Sequence, residues 1–254
     1  MSDLLDFTDR TALITGAASG IGAACARLLA QRGVAHLVLT DIDGAALEAL
    51  DLPCRITRIA GDVADEAHWN DVAAHLDGLD HAVLNAGVAS GSPIAELDFA
   101  EWRRVLGVNL DGMFLSLRAA MRAIGDGGSM VLTASISGMK AEPGTAAYGA
   151  SKAGVIQLAR VAAKEAAARK VRVNAIAPGG VDTPIWDQAP FFQNLMAQHG
   201  GDRAAALAAM AAMATPLGRY ATADEIAAQI AFLLSDAAAT ITGAVLASDG
   251  GYSL

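Results

Sequence analysis

A chain of 254 residues that is 54% hydrophobic and 18% charged has the apolar surface for a large core, which excludes a disordered polymer. Its formal net charge of −9 excludes nucleic acid and anionic membrane surfaces as main partners. Two cysteines, Cys25 and Cys54, exclude a disulfide framework; no apolar run is long enough to span a membrane, and "MSDLLDFTDR" lacks the features of a signal peptide, so the cytoplasm is expected.

In chain order, "TALIT" (11–15) reads as a buried strand and "GIGAACARLLAQRG" (20–33) as a helix stopped by Gly33. "HLVLT" (36–40), a short helix over 43–50 and "RITRIA" (55–60) follow. A helix over 65–76 precedes the strand "HAVLN" (81–85), and one long helix is predicted over 99–124. "SMVLTA" (129–134), a helix over 147–168 and "VRVNAIA" (171–177) continue the alternation. The region 186–213 interrupts it with aromatic and methionine residues among helix formers. A helix over 222–235 and the strand "AVLAS" (244–248) close the pattern. Short apolar strands alternating with helices predict an α/β fold: a doubly wound, Rossmann-type parallel sheet of about seven strands with helices on both faces. No repeat or linker divides 1–254, so a single domain is expected.

The join between the first strand and helix is "TGAASGIG" (15–22). Gly16, Gly20 and Gly22 permit a tight turn, close ligand approach and close helix–strand packing, and the helix N-terminus aims free N–H groups at a pyrophosphate. Ser19 and Ile21 complete the contact set expected of this turn. About 20 residues on, the second strand ends in "LTDID", where the carboxylate of Asp41 is placed to accept hydrogen bonds from ribose hydroxyls. Its charge repels a 2′-phosphate and no Arg or Lys stands beside it, so NAD is expected rather than NADP. A helix N-cap is the other role open to Asp41, one that Asp43 fills equally well.

Tyr148 and Lys152 in "AAYGASKAG" lie one helical turn apart on the same face. Together with "TGAASGIG", this Y-x-x-x-K pair makes the chain resemble the short-chain dehydrogenase/reductase family over essentially its whole length. The resemblance places Asp62 and Val63 of "GDV" at the adenine, and Asn85, Ala86 and Gly87 in the turn beside the cofactor. It places "PGGVDT" at the nicotinamide, with Pro178, Gly179 and Val181 in contact and Thr183 on the carboxamide. "SDGGY" (248–252) resembles the usual C-terminal signature. The matching catalytic positions are Asn109, Ser135, Tyr148 and Lys152; Ala134 departs from the second serine of many members.

A free tyrosine titrates near pH 10, and a cation one turn away favours its phenolate, so Lys152 is expected to make Tyr148 a usable acid and base. Ser135 is expected to hold the substrate oxygen. The resemblance implies that Lys152 also bonds the nicotinamide ribose and that Asn109 holds a water relaying protons to solvent. Strand-end capping by Ser135 and backbone bridging by Asn109 are the other roles open to those side chains. The expected activity is hydride transfer between NAD and a small-molecule secondary alcohol or its ketone, with no metal. The alternatives are a 3-oxoacyl thioester reductase, which Asp41 disfavours, and a non-catalytic NAD-binding protein. The resemblance further implies a substrate lid at 186–213 and a homotetramer; packing of 186–213 as a plain helix pair on the body is the other reading of that region.

Overall fold

Seven parallel strands form the central sheet of the computed structural model, which describes residues 4–187 and 189–254. The first three residues of the N-terminal stretch and Gln188, inside the expected lid, lie outside the described residues. The strands are β1 (Thr11–Thr15), β2 (His36–Asp41), β3 (Arg55–Ala60), β4 (Leu79–Leu84), β5 (Ile124–Thr133), β6 (Arg172–Pro178) and, after two short ones, β9 (Val245–Ser248). Their spatial order is β3-β2-β1-β4-β5-β6-β9. The chain therefore reverses direction between β1 and β4, and a crevice opens there at the carboxyl ends of the strands.

Burial on both faces explains the near-continuous apolar strands. Alternate residues divide between two cores, as the two-residue period of a strand requires. Leu13, Ala82, Leu84, Met130 and Leu132 face one side, against α3 (His68–Ala73), α5 (Gly112–Ala123) and α6 (Ala146–Ala166). Ala12, Ile14, Val83 and Val131 face the other, against α1 (Gly20–Gln31) and α9 (Ala223–Leu234). The 21-residue α6 buries Lys152, Val155, Ile156, Ala159, Ala162, Ala163 and Ala166, one stripe at helical spacing. α9 begins with a capping box in which the Thr222 hydroxyl accepts from Glu225 N and the Glu225 carboxylate accepts from Thr222 N.

The long helix expected over 99–124 is broken. α4 (Phe99–Leu106) runs into a π-helical turn, Gly107–Asp111, before α5 resumes, and Asn109 sits in that turn. Such turns insert an extra residue into the helical ladder and swing a side chain off the regular spacing. β5 also begins earlier than expected, because Ile124 pairs with Leu79 ahead of a looped-out Gly125–Gly128. Region 186–213 forms α7 (Pro190–Gln198) and α8 (Arg203–Ala214). Phe192, Ala206 and Leu207 make a small core there, separate from the two sheet cores, with Trp186, Met196, Met210 and Tyr220 around it.

Candidate active site

Thr15 closes β1, and its hydroxyl accepts from Asn85 N at 2.8 Å and Ala86 N at 3.0 Å. That bond pair ties the turn after β4 to the turn after β1, one on each side of the crevice. Gly16 takes φ of +64°, and a Cβ there would stand 2.9 Å from Ala86 Cα. Only glycine combines that conformation with that approach. A Cβ on Gly22 would lie 2.0 Å from the Gly16 carbonyl oxygen, so α1 is packed directly onto the turn. Ser19 is the N-cap of α1, yet its side chain makes no capping bond. Asp43, Asp98, Asp202 and Thr222 do cap their helices with side-chain oxygens. The first-turn amides of α1 are thereby left for an anion.

Asp41 stands at the edge of the same turn. Its carboxylate accepts from Ala18 N at 2.9 Å and from Asp43 N at 3.0 Å, whereas Asp43 takes the N-cap of α2 (Gly44–Glu48) by accepting from Ala46 N. The N-cap role open to Asp41 therefore belongs to Asp43. Asp62 accepts from Ala64 N, and Val63 is buried with its carbonyl accepting from the Trp69 indole. A bare glycine cradle, an uncapped helix start and a carboxylate at the second strand end fit a dinucleotide.

Ser135 follows β5 in an extended conformation; its hydroxyl accepts from Ser137 N and lies beside Tyr148, whose pKa it lowers. The loop after it is pressed onto α6: a Cβ on Gly138 would come within 2.7 Å of Ala153 N. Lys152 is 3% exposed and donates to the Thr133 carbonyl at 2.9 Å, with its ammonium 5.7 Å from the Tyr148 ring centre. Burial pushes Lys152 down to about 8. Burial pushes Tyr148 above the usual tyrosine value, and Ser135 only partly opposes it. The downward shift expected of Tyr148 from Lys152 is therefore not seen: desolvation of the phenolate wins, and the amine is turned toward the Thr133 carbonyl.

Asn109 is fully buried, and its amide is spent on protein partners. Its oxygen accepts from Val88 N, and its nitrogen donates to Val88 O and Ser151 Oγ. It bridges backbone between two segments rather than within its own helix. A Cβ on Gly87 would stand 3.2 Å from Asn109 Oδ1 and 3.3 Å from Lys152 Nζ. The turn after β4, Asn109 and Lys152 are therefore in contact range.

Beyond β6, Gly179 N donates to Ser248 O, and β7 (Val181–Asp182) pairs with β8 (Ala221–Thr222). Thr183 is buried against the glycine turn, since a Cβ on Gly20 would lie 3.3 Å from its methyl group. Three contacts were not legible as part of the site. One is Thr15, whose hydroxyl before the first glycine is the only cue. Another is Arg203 of α8, which pairs with Asp182 at 2.6 Å and Asp187 at 2.8 Å and donates to the Thr183 carbonyl. The third is Tyr252, whose ring lies under the Lys140 ammonium at 3.9 Å and whose presence beside Glu142 holds that carboxyl below its usual range. Pairs this distant in the chain leave no sequence periodicity.

A family model described as enoyl-(acyl carrier protein) reductase matches residues 16–253. The chain is 43% identical to a cis-4-hydroxycyclohexanecarboxylate dehydrogenase of Sinomonas cyclohexanicum, over 97% of this chain and 98% of that one. Its fold matches the crystal structure of a carveol dehydrogenase from Mycobacterium avium in complex with NAD, with a TM-score of 0.88, 29% identity and coverage of 97% and 98% of the two chains. It also matches an L-sorbose reductase from Gluconobacter frateurii complexed with NADPH and L-sorbose, with a TM-score of 0.89, 28% identity and coverage of 98% of each chain.

Proposed function

Because the chain belongs to the short-chain dehydrogenase/reductase family, we propose that it interconverts a secondary alcohol and its ketone with NAD, using Tyr148 as general acid and base. The observation that carries this reading is the grouping of Ser135, Tyr148 and a buried Lys152 beside the crevice of the glycine turn.

The dinucleotide, when bound, supplies the hydride acceptor or donor. Gly16, Ser19, Gly20, Ile21 and Gly22 present the turn and helix start to its pyrophosphate, and Asp41 accepts from the adenosine ribose. Asp62 and Val63 flank the adenine, and Asn85, Ala86 and Gly87 line the crevice opposite. Pro178, Gly179, Val181 and Thr183 hold the nicotinamide end. Ser135 keeps the substrate oxygen next to the Tyr148 hydroxyl and stabilises its developing charge. Tyr148 takes the alcohol proton during oxidation and returns it during reduction. Burial opposes the phenolate that oxidation requires, and the Lys152 ammonium beneath the ring favours it. Asn109, with its amide fixed to Val88, orders the segment along which a water relay from Lys152 reaches solvent.

Region 186–213 acts as the substrate lid; its separate small core supports movement as a unit. Phe99 (73% exposed), Phe114 and Val161 leave an apolar surface on α4 to α6, which supports a homotetramer built from these helices. Among the described residues no helix is long and apolar enough to cross a membrane, and the free cysteines Cys25 and Cys54 support a cytoplasmic setting. Purified protein assayed for NAD reduction over a panel of secondary alcohols tests the reading. Cyclic alcohols bearing a carboxylate head the panel because of the Sinomonas relative. NADH binding without turnover of any alcohol or ketone would favour the non-catalytic alternative.

A further inference from the structure

Thr133, the last residue of β5, is 6% exposed, and its buried hydroxyl has no hydrogen-bond partner among the described residues. A hydroxyl in that state loses its water without compensation, which native structures tolerate mainly where a missing group completes the bond. Its place in the sheet says where that group must be. Thr133 pairs with Ile176 of β6, and the register Leu84 to Leu132 sets it level with Asn85 on the other side. By strand alternation its side chain lies on the face of Val131 and Val83, the face that also carries Ala17 and Val181. Asn85, on that face, reaches the Gly16 carbonyl. The Thr133 carbonyl, meanwhile, takes the Lys152 ammonium. The orphan hydroxyl thus sits at the carboxyl end of the sheet, between the glycine turn, the 178–183 segment and the lysine.

We propose that the Thr133 hydroxyl binds the nicotinamide half of the dinucleotide, through its carboxamide or its ribose. This role rests on the crevice being a dinucleotide site. It makes Thr133 a binding residue that no motif in the sequence marks, since the hydroxyl lies two positions before Ser135, inside the apolar run of β5.

The test is binding, measured by calorimetry on the full chain with NADH, ADP-ribose and ADP as probes. Thr133→Val keeps the shape and removes the hydroxyl. It is expected to weaken NADH about five-fold, the worth of one hydrogen bond, while ADP binds as in wild type. Thr133→Ser restores NADH binding to within about two-fold, and Thr133→Ala serves as a second deletion should the valine variant fail to fold. Equal weakening of ADP-ribose assigns the contact to the ribose; weakening of NADH alone assigns it to the carboxamide. The cofactor-free valine variant should melt no lower than wild type, because an unpaired hydroxyl has been removed. NADH binding unchanged in both deletions, or NADH and ADP weakened alike, overturns the contact. Wild type that binds ADP but not NADH overturns the dinucleotide reading itself, which is a different outcome.

Discussion

With the proposed placement of Asp41 on the ribose, replacing Asp41 with Ser and Ile42 with Arg should shift cofactor preference from NAD toward NADP. The carboxylate accepts from two backbone amides, Ala18 N and Asp43 N, so it is held at the edge of the glycine turn and cannot swing away from a 2′-phosphate. Two like charges about 5 Å apart repel by about 3 kcal/mol at an effective dielectric of 20; solvent screening at this half-exposed site leaves about 1–3 kcal/mol. That corresponds to roughly a 5- to 150-fold preference for NAD in wild type. Serine is chosen over alanine because its hydroxyl still offers an acceptor to the two amides, whereas alanine leaves both without a side-chain partner and loosens the turn. Ile42 is 74% exposed, so an arginine there enters solvent without disturbing a core and offers a guanidinium to the phosphate. The assay is the ratio of kcat/KM for NAD and NADP in wild type and double variant. A wild type that uses both equally, or a variant whose ratio does not move, refutes the assignment of Asp41 to the ribose.

Tyr148→Phe should reduce turnover at least about a hundredfold, the usual weight of a general acid or base, with NADH affinity retained; substantial activity would remove Tyr148 from the proton path. Lys152→Met should abolish activity but raise the thermal stability of the cofactor-free protein by about 1–3 kcal/mol, because a buried amine held down to about 8 is costly to keep charged. The folded value lies below the unfolded one of about 10.5, so that cost is full below pH 8 and fades as pH rises from 8 toward 10.5. The stability gap between variant and wild type, measured by thermal melts across that range, should narrow accordingly; a constant gap refutes desolvation of the charged amine as its origin. Light scattering should report a tetramer at micromolar concentration, and a stable monomer would refute the use of the α4–α6 surface. Arg203→Gln should change KM and weaken NADH modestly, since it releases α8 from Asp182 and Asp187 and frees the Thr183 carbonyl; unchanged kinetics and NADH binding would show that the contact does not govern the proposed lid.

β1 and β3 have the boundaries read from the chain, because the apolar run "TALIT" and the alternating "RITRIA" are each flanked by turn residues. The glycine turn and Tyr148–Lys152 were legible for a related reason: local chemistry fixes their spacing. Contacts between distant segments were not. Gly107–Asp111 carries nothing that forbids an ordinary helix, so the π turn under Asn109 was invisible until α6 and Val88 were in place around it. β4 begins at Leu79 rather than at 81, and helix α3 is shorter than 65–76, since sheet pairing and capping, not propensity, set those ends. The upward shift of Tyr148 illustrates the same limit: charge is written in the sequence, but desolvation appears only when the helix is packed.

One guanidinium, that of Arg203, grips Asp182, Asp187 and the carbonyl of Thr183 at once. These contacts cannot be released one at a time by moving α8, so they behave as a single fastener with a shared breaking point. Both ion pairs are partly open to water, and pairs of that kind are individually weak and fade with salt. A fastener of this strength suits the lid proposed for 186–213, which would be undone in each turnover, rather than a permanent weld. Because its third tooth is the backbone of Thr183, helix α8 and the segment that borders the glycine turn share one catch, and freeing the first slackens the second.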